Sequence, residues 1–356
     1  MLNKEFFERE TNISAKIICD SISQQGQRIT TFEVEAPRII LAEINTHNAL
    51  SKNCSSTRAI TIAKAIQQIE DNGFNPVYWG EKQGGMSART ELSGDNLDSS
   101  KFYWNRAKRS AISSVKNLDL FRAHKQIAGR LLEPFQMVKQ VLTATDWDNF
   151  FNLRIHPDAQ PEILMLAYKM YKALEASRPN RLRVGEWHLP YVEIFQDPNP
   201  EDTYYHVWSV DTTGTETDGY HFEQRLTLEE AQRISASCCA QVSYRNTDNS
   251  LDKADTIFDR LIDTDVLHAS PFEHLATPVK TTEELWCIRN PLILDAKASV
   301  NSPLAPTTWE KGITHLRRDG RFGSGNLAGW VQYRHLMEGN TCWKYNHEER
   351  MKLFEV

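Results

Sequence analysis

The segment at positions 160–174, QPEILMLAYKMYKAL, is the feature that most constrains the fold, because it predicts one well-marked amphipathic helix. Pro161 suits the first turn of that helix. Four apolar side chains recur at helical spacing and form its buried stripe: Ile163, Leu166, Met170 and Leu174. Two earlier segments with partial apolar alternation, SAKIICDSIS and RITTFEVEAP, predict strands.

Further helices are predicted by the same spacing in ITIAKAIQQIED, LEEAQRISASCCAQVSY and KADTIFDRLID. The pattern from Phe102 to about Leu142 is also helical, with a break at Pro134, whereas positions 75–98 carry the Gly, Pro and Asn of an irregular loop. The Pro- and Asp-rich stretch FQDPNPEDT places the main boundary at positions 195–203. We therefore expect two halves, 1–195 and 204–356.

The composition is that of a globular protein, with 40% hydrophobic and 25% charged residues in 356 positions. A net charge of -6 argues against nucleic-acid and membrane-surface partners, although it leaves room for a local basic pocket. The first residues do not resemble a signal peptide, and no apolar run approaches the ~20 residues of a membrane span, so we expect a cytoplasmic protein.

The six cysteines form no CxxC pair and show no zinc-type spacing with histidine. They are interpreted as reduced thiols, most of them buried, and no metal site is expected. Cys54 is the exception, because it lies inside a polar segment.

That polar segment, THNALSKNCSSTRAI at positions 46–60, holds a histidine, an arginine and five hydroxyl side chains. It offers many donors to a phosphate or a pyrimidine, and it lies at or near a predicted helix start, where backbone N–H groups favour anions. On extended backbone, Ser56 and Arg58 would face one ligand. The alternative is a polar helix start, in which the same side chains only cap the backbone.

Two more segments carry residues of chemical interest. Arg154 follows two phenylalanines in NFFNLR and must be paired or face an anionic ligand; a salt bridge to Asp158 is the alternative. The histidines of HASPFEHL at positions 268–275 are candidates for a site, with core imidazoles or a helix cap as the alternative. Trp79 is either a lid over the core or a stacking platform.

Read together, these segments resemble the flavin-dependent thymidylate synthases. The family signature RHRxxSxNExSxR is similar to THNALSKNCSSTR, which keeps His47, Ser51, Asn53, Ser56 and Arg58 in register. The segments RLLEP and NFFNLR look like the family's RxxLP and NFLxLR, and HASPFEHL looks like its H-x-[ST]-P-F-E-H element. That element follows the signature here rather than preceding it, as in a longer, rearranged bacteriophage version.

The resemblance implies an α/β or α+β fold with a mixed or antiparallel sheet flanked by helices. It implies methylation of dUMP at C5, with methylenetetrahydrofolate as carbon donor and FAD reduced by NADPH as hydride source, in a homotetramer or dimer with shared sites. The implied catalytic residues are Arg154 and Ser56. The implied substrate-binding residues are Glu43, Asn53, Ser55, Arg58 and Arg130. The implied flavin-binding residues are His47, Asn149, His268 and Ser270.

Three departures from the signature bear on this assignment, since Thr46 and Asn48 replace its arginines and Cys54 replaces its glutamate. Arg334 and His335 are candidates to return a cationic pair to the flavin. Cys54 is either inert or a nucleophile that attacks C6 of the pyrimidine. Two other functions stay open: hydroxymethylation of dUMP or dCMP, and non-catalytic nucleotide binding. No HExxH or GxSxG motif supports a hydrolase.

Overall fold

The computed structural model describes residues 4–211, 220–243, 247–263, 267–280 and 309–354. The helices are α1 (Lys4–Phe7), α2 (Leu41–Asn45), α3 (Ile62–Asn72), α4 (Gly94–Leu120), α5 (Lys125–Ala128), α6 (Asp148–Arg154), α7 (Pro161–Ala176), α8 (Leu228–Ala240), α9 (Leu251–Ile262) and α10 (His347–Met351). The strands are β1 (Ser14–Ser23), β2 (Arg28–Pro37), β3 (Ser51–Cys54), β4 (Met137–Ala144), β5 (Asn180–Leu182), β6 (Glu193–Phe195), β7 (Tyr204–Asp211), β8 (Tyr220–Leu226), β9 (Ala276–Pro278), β10 (His315–Leu316), β11 (Phe322–Ser324), β12 (Leu327–Ala328) and β13 (Trp330–Gln332).

The first half is organised on a five-stranded sheet of order β3-β4-β2-β1-β5. All its neighbours are antiparallel except the β1 and β5 pair, which is parallel. The predicted fold class, a mixed sheet with flanking helices, is therefore confirmed.

The two faces of this sheet differ in chemistry. One face carries Phe32, Val34 and Leu142, which pack with α6 and α7 in the largest apolar cluster. The other face is polar, because register pairs such as Thr31 with Thr143 and Glu35 with Lys139 point away from that cluster. This polar face is covered in part by the segment that carries His188, before the predicted boundary, and in part by residues of the second half such as His274.

The amphipathic helix is confirmed as α7, whose Ile163, Leu166 and Met170 are fully buried. The predicted strands are β1 and β2, and the predicted helices after the polar segment and in the second half are α3, α8 and α9. The helical interpretation was wrong at Met137–Ala144, which is strand β4. Both faces of β4 are largely covered, so its sequence lacks the alternation that marks a strand.

The rest of the chain forms a three-stranded sheet β6-β7-β8, helices α8 and α9, and small strands near the C-terminus. Because β6 and β7 pair with each other, this sheet includes residues on both sides of the predicted boundary. The 3-10 turn Ser270–His274 packs on β3 and β4, and His188 pairs with Ala276 in a β-bridge, so the halves share an interface. None of the helices in the described ranges combines the length and apolar character that crossing a bilayer requires.

Candidate functional site

The polar segment is divided among several local structures, which send its side chains to different places. His47 lies just after α2, residues Ser51–Cys54 form the edge strand β3, and Ser56 precedes a turn. The prediction that the segment lies near a helix start is confirmed, because Thr61 caps α3 by accepting from the N–H of Lys64 at 3.2 Å.

Arg154, at the last residue of α6, joins the start of this segment. Its Nε donates to Nε2 of His47 at 2.8 Å, and its Nη2 donates to the hydroxyl of Thr46 at 3.2 Å. The Glu43 carboxylate lies 3.8 Å from Nη1, and the Glu43 carbonyl accepts from Nη2 at 3.3 Å. The acidic partner of Arg154 is therefore Glu43, whereas the carboxylate of Asp158 lies 3.8 Å from His156.

This arrangement fixes the state of the His47 imidazole. Nε2 accepts the bond from Arg154, so that nitrogen carries no proton. Burial, together with the charges of Arg154 and Lys52, lowers the pKa of His47. Lys52 completes the group by donating from Nζ to the His47 carbonyl at 2.6 Å, and burial lowers the pKa of Lys52 while the Glu273 carboxylate opposes that shift.

Ser55 and Ser56 line a cavity of about 360 Å³ at the other end of β3. Its wall includes Arg38, Lys64 and Lys139, three cations that sequence reasoning did not identify as site residues. The local sequence gave no signal for them, because the β2–β4 register and the packing of α3 bring them together. Within the described residues, this cavity is the place where part of the signature meets several cations.

Ser56 and Arg58 do not share one extended face as expected. The carbonyl of Ser56 accepts from the N–H of Ala59 at 3.0 Å, which closes a turn and leaves Arg58 exposed. Arg58 is not among the residues that line the cavity.

The remaining substrate candidates occupy separate positions. Arg130 is exposed and donates to Glu133 at 2.7 Å; Glu133 also accepts from Arg38 at 3.2 Å. Asn53 donates from Nδ2 to the Cys239 carbonyl at 2.6 Å, which ties β3 to the end of α8. Their roles at a substrate stay predictions.

The flavin candidates lie in two groups. Asn149 is exposed beside Phe150, whose ring packs edge-on against His47 with 4.9 Å between centroids. His268 and Ser270 are exposed at the start of the Ser270–His274 turn.

Arg334 contacts that turn through an ion pair from its Nη1 to Glu273. The Nε atom of Arg334 is buried and has no hydrogen-bond partner among the described residues. Burial and the neighbouring Arg334 charge lower the pKa of His335, so this imidazole is not a second fixed cation.

A buried chain of hydrogen bonds crosses the polar sheet face. His188 Nδ1 bonds the Ser21 hydroxyl at 2.9 Å, and His188 Nε2 bonds the Thr31 hydroxyl at 2.8 Å. Thr31 bonds Thr143 at 2.7 Å, and Thr143 bonds Nδ1 of His274 at 2.8 Å. Burial lowers the pKa of each histidine to about 3. His274 is therefore a core imidazole as the alternative predicted, although its buried Nε2 atom has no hydrogen-bond partner among the described residues.

Cys54 and Trp79 complete the predicted candidates. Burial raises the pKa of Cys54 to about 11, so the side chain is a neutral thiol near pH 7. Trp79 packs edge-on against Trp104, with ring centroids 6.2 Å apart, and lines a second cavity of about 530 Å³. No three His, Cys, Asp or Glu side chains converge as a metal site would require, within the part of the chain that the structure describes.

Comparison with known proteins gave a distant structural likeness. No protein-family model matches the chain, and no curated protein matches it. Two crystal structures of the UMP/dUMP methylase PolB from Streptomyces cacaoi, bound with 5-Br UMP and 5-Br dUMP, give TM-scores of 0.40 and 0.39 at 18% and 17% identity. Each alignment covers 46% of this chain and 89% or 90% of that protein. A likeness this distant assigns neither a family nor an activity.

Proposed function

We propose that this protein is an enzyme that transfers a one-carbon unit to C5 of a pyrimidine nucleotide, as a dUMP methylase of the flavin-dependent thymidylate synthase type. The observation that carries the proposal is the convergence of Arg154 with the signature-like segment. Arg154 and His47 are 107 positions apart in the chain, and the fold joins them by a 2.8 Å hydrogen bond. The signature-like segment and the NFFNLR segment, both part of the family resemblance, are therefore in contact in the folded chain.

The chemistry of C5 substitution explains why a fixed arginine matters. C5 of uracil becomes nucleophilic when N3 loses its proton, because the negative charge spreads over the ring. Arg154 is held by His47, Thr46 and Glu43 and keeps 20% of its side chain exposed, so its position is fixed while a face remains accessible. A guanidinium fixed beside a developing negative charge contributes about 3 kcal/mol to transition-state stabilisation.

The proposed site has two parts within one chain. Arg154 contacts Thr46 and His47, which precede β3, and the cavity with Ser55 and Ser56 lies beyond the end of β3. The four residues of β3, about 13 Å of extended chain, lie between these two segments. The resemblance implies a homo-oligomer with active sites shared between subunits. In such an assembly, the Arg154 of one subunit would act on a nucleotide held by Ser56 of another.

The predicted flavin residues of a single chain do not fit the diphosphate of FAD. Arg334 is already paired with Glu273, and the pKa of His335 is lowered, so the expected cationic pair offers little free charge. FAD and NADPH therefore stay predictions from the resemblance. Methylenetetrahydrofolate is the carbon donor in this proposal.

The state of Arg334 also favours a second candidate function, the hydroxymethylation of dUMP or dCMP. That reaction ends with water attack on the transferred carbon and needs no hydride. The substitution of Thr46 and Asn48 for the two signature arginines points in the same direction.

Release of tritium from dUMP labelled at C5 tests the proposal for either product, because substitution at C5 displaces that hydrogen. Purified protein would be incubated with the labelled dUMP and methylenetetrahydrofolate, with and without FAD and NADPH. We expect release by the wild type and by Arg106→Ala, a control on the exposed face of α4, and at least a hundredfold slower release by Arg154→Ala. Equal rates in the two variants would refute the assignment of Arg154.

A further inference from the structure

The cavity beyond β3 has polar side chains on several walls. Glu35 and Lys139, a register pair of β2 and β4, line it together with the polar face of α3. Its volume, about 360 Å³, is within the usual range for small-molecule sites, ~300–1,000 Å³.

Three cations give the cavity capacity for an anion. The Arg38 side chain is 15% exposed, with Nε 3.2 Å from the Glu133 carboxylate and Nη1 donating to the Ser55 carbonyl at 3.4 Å. Lys139 lies 3.8 Å from Glu33. Among the described residues, no carboxylate lies within ion-pair distance of Lys64. The carboxyl groups of Glu35 and Asp71 also line the cavity, so a phosphate bound here would meet three cations whose charge these two groups partly offset.

Gln136 adds a requirement for a hydrogen-bond donor on the ligand. The residue lines the cavity and is 6% exposed, and its Oε1 atom has no hydrogen-bond partner among the described residues. Because Oε1 is shielded from solvent, a ligand in the cavity reaches it only after the amide group turns towards the cavity. A buried unpaired acceptor costs about 1–3 kcal/mol unless a donor reaches it. The dianionic phosphate group of a monoester has no donor, so a monoester that satisfies both features carries an N–H or O–H group elsewhere on the molecule.

Glu35 supplies a second polar contact in the same space. Its carboxylate accepts from Asn72 Nδ2 at 3.2 Å, and burial raises the pKa of Glu35 although Lys139 opposes the shift. A hydroxyl or ring N–H is a suitable partner for this carboxyl group, whereas a second phosphate is not.

We infer that this cavity binds a nucleoside monophosphate, with its phosphate on Arg38, Lys64 and Lys139 and a sugar or base donor on Gln136. The inference that a nucleotide binds here is based on the geometry of the cavity. The identification of the base as a pyrimidine rests on the proposed function. Ser55 and Ser56 of the signature-like segment then contact the same ligand from the end of β3.

Calorimetric titration of the full-length protein tests this inference with three probes: dUMP, deoxyuridine and inorganic phosphate. We expect dUMP to bind more tightly than either of the others. Lys64→Ala should weaken dUMP binding about tenfold and leave deoxyuridine binding unchanged, because it removes a phosphate contact. Lys116→Ala, an exposed lysine on α4, is the matched control and should bind dUMP as the wild type does.

Gln136→Met is the second variant, since it keeps the approximate size of the side chain and removes the unpaired oxygen. It should weaken both dUMP and deoxyuridine about tenfold while raising the melting temperature of the ligand-free protein. A glutamine with a purely structural role would give a lower melting temperature and unchanged binding.

Three results would overturn the inference: no binding of dUMP, dUMP affinities in both variants equal to that of Lys116→Ala, or inorganic phosphate binding as tightly as dUMP. The tritium assay separates this inference from the proposed function. If dUMP binding depends on Lys64 and Gln136 but no tritium is released, the proposed enzymatic function is wrong and the inferred binding site stands. If both variants release tritium at the wild-type rate, the inferred binding site is wrong and the proposed enzymatic function stands.

Discussion

Thr31 on β2 and Thr143 on β4 share a hydrogen bond of 2.7 Å, and each hydroxyl also bonds a buried imidazole. His188 bonds Thr31 and precedes the predicted boundary, whereas His274 bonds Thr143 and lies in the second half of the chain. The pair therefore ties the polar face of the sheet to the residues that cover it.

The two histidines make stability depend on pH. Burial lowers the pKa of His188 and of His274 to about 3, whereas an unfolded histidine titrates near ~6.5. Between these values the unfolded chain binds more protons than the folded chain, so the stabilisation is present above the unfolded pKa and is lost as pH falls from about 6.5 towards 3. We expect a loss of roughly 1 kcal/mol per pH unit for each histidine, measured by urea unfolding at several pH values. His274→Gln should reduce this slope, and an unchanged slope would show that His274 is not held neutral.

Replacement of Thr143 by valine tests the hydrogen-bond chain at its centre. The variant keeps the shape of the side chain but leaves both Thr31 and His274 without a partner at that position. We expect a loss of about 2 kcal/mol in the free energy of unfolding. Thr256→Val is the control, because that hydroxyl is on the exposed side of α9, and it should change stability by less than about 0.5 kcal/mol.

Cys54 is expected to be inert. Burial raises its pKa to about 11, so little thiolate exists near pH 7. Brief alkylation at pH 7.5 followed by peptide mapping should modify the exposed Cys342 and leave Cys54 unmodified. Tritium release by Cys54→Ser should match the wild type; loss of release would support a nucleophilic thiol instead.

The ion pair between Arg334 and Glu273 distinguishes a structural arginine from a flavin ligand. If the pair is structural, Arg334→Ala and Glu273→Gln should both lower the melting temperature and leave FAD affinity unchanged. If Arg334 holds the flavin phosphates, Arg334→Ala should weaken FAD binding and Glu273→Gln should strengthen it. Titration of FAD fluorescence against each variant measures the difference.

The sequence predicted correctly those helices and strands in which buried and exposed side chains alternate with a regular period. Helix α7 buries one stripe against the sheet, so Ile163, Leu166 and Met170 recur at helical spacing. Strand β4 lies between two neighbours and is covered on both faces, and its valines and leucine therefore gave no period that separates strand from helix.

The site residues that lie in local sequence motifs could be predicted. The residues that come together only through the pairing of the strands could not. Arg154 and His47 were identified because each lies in a recognisable segment. Arg38, Lys139 and Gln136 belong to no such segment, and they meet because β2 and β4 pair in one particular register. Sequence spacing also suggested a common ligand for Ser56 and Arg58, but a turn separates their side chains.

The most direct test of the central claim is mass spectrometry of the nucleotide after incubation of wild type and Arg154→Ala with dUMP, methylenetetrahydrofolate, FAD and NADPH. The proposed function predicts that wild-type protein adds a methyl group to dUMP, that the product disappears without FAD, and that Arg154→Ala forms almost none. A hydroxymethyl product would move the protein to the second candidate function. Unmodified dUMP, with dCMP also unmodified, would contradict an enzymatic role in pyrimidine modification.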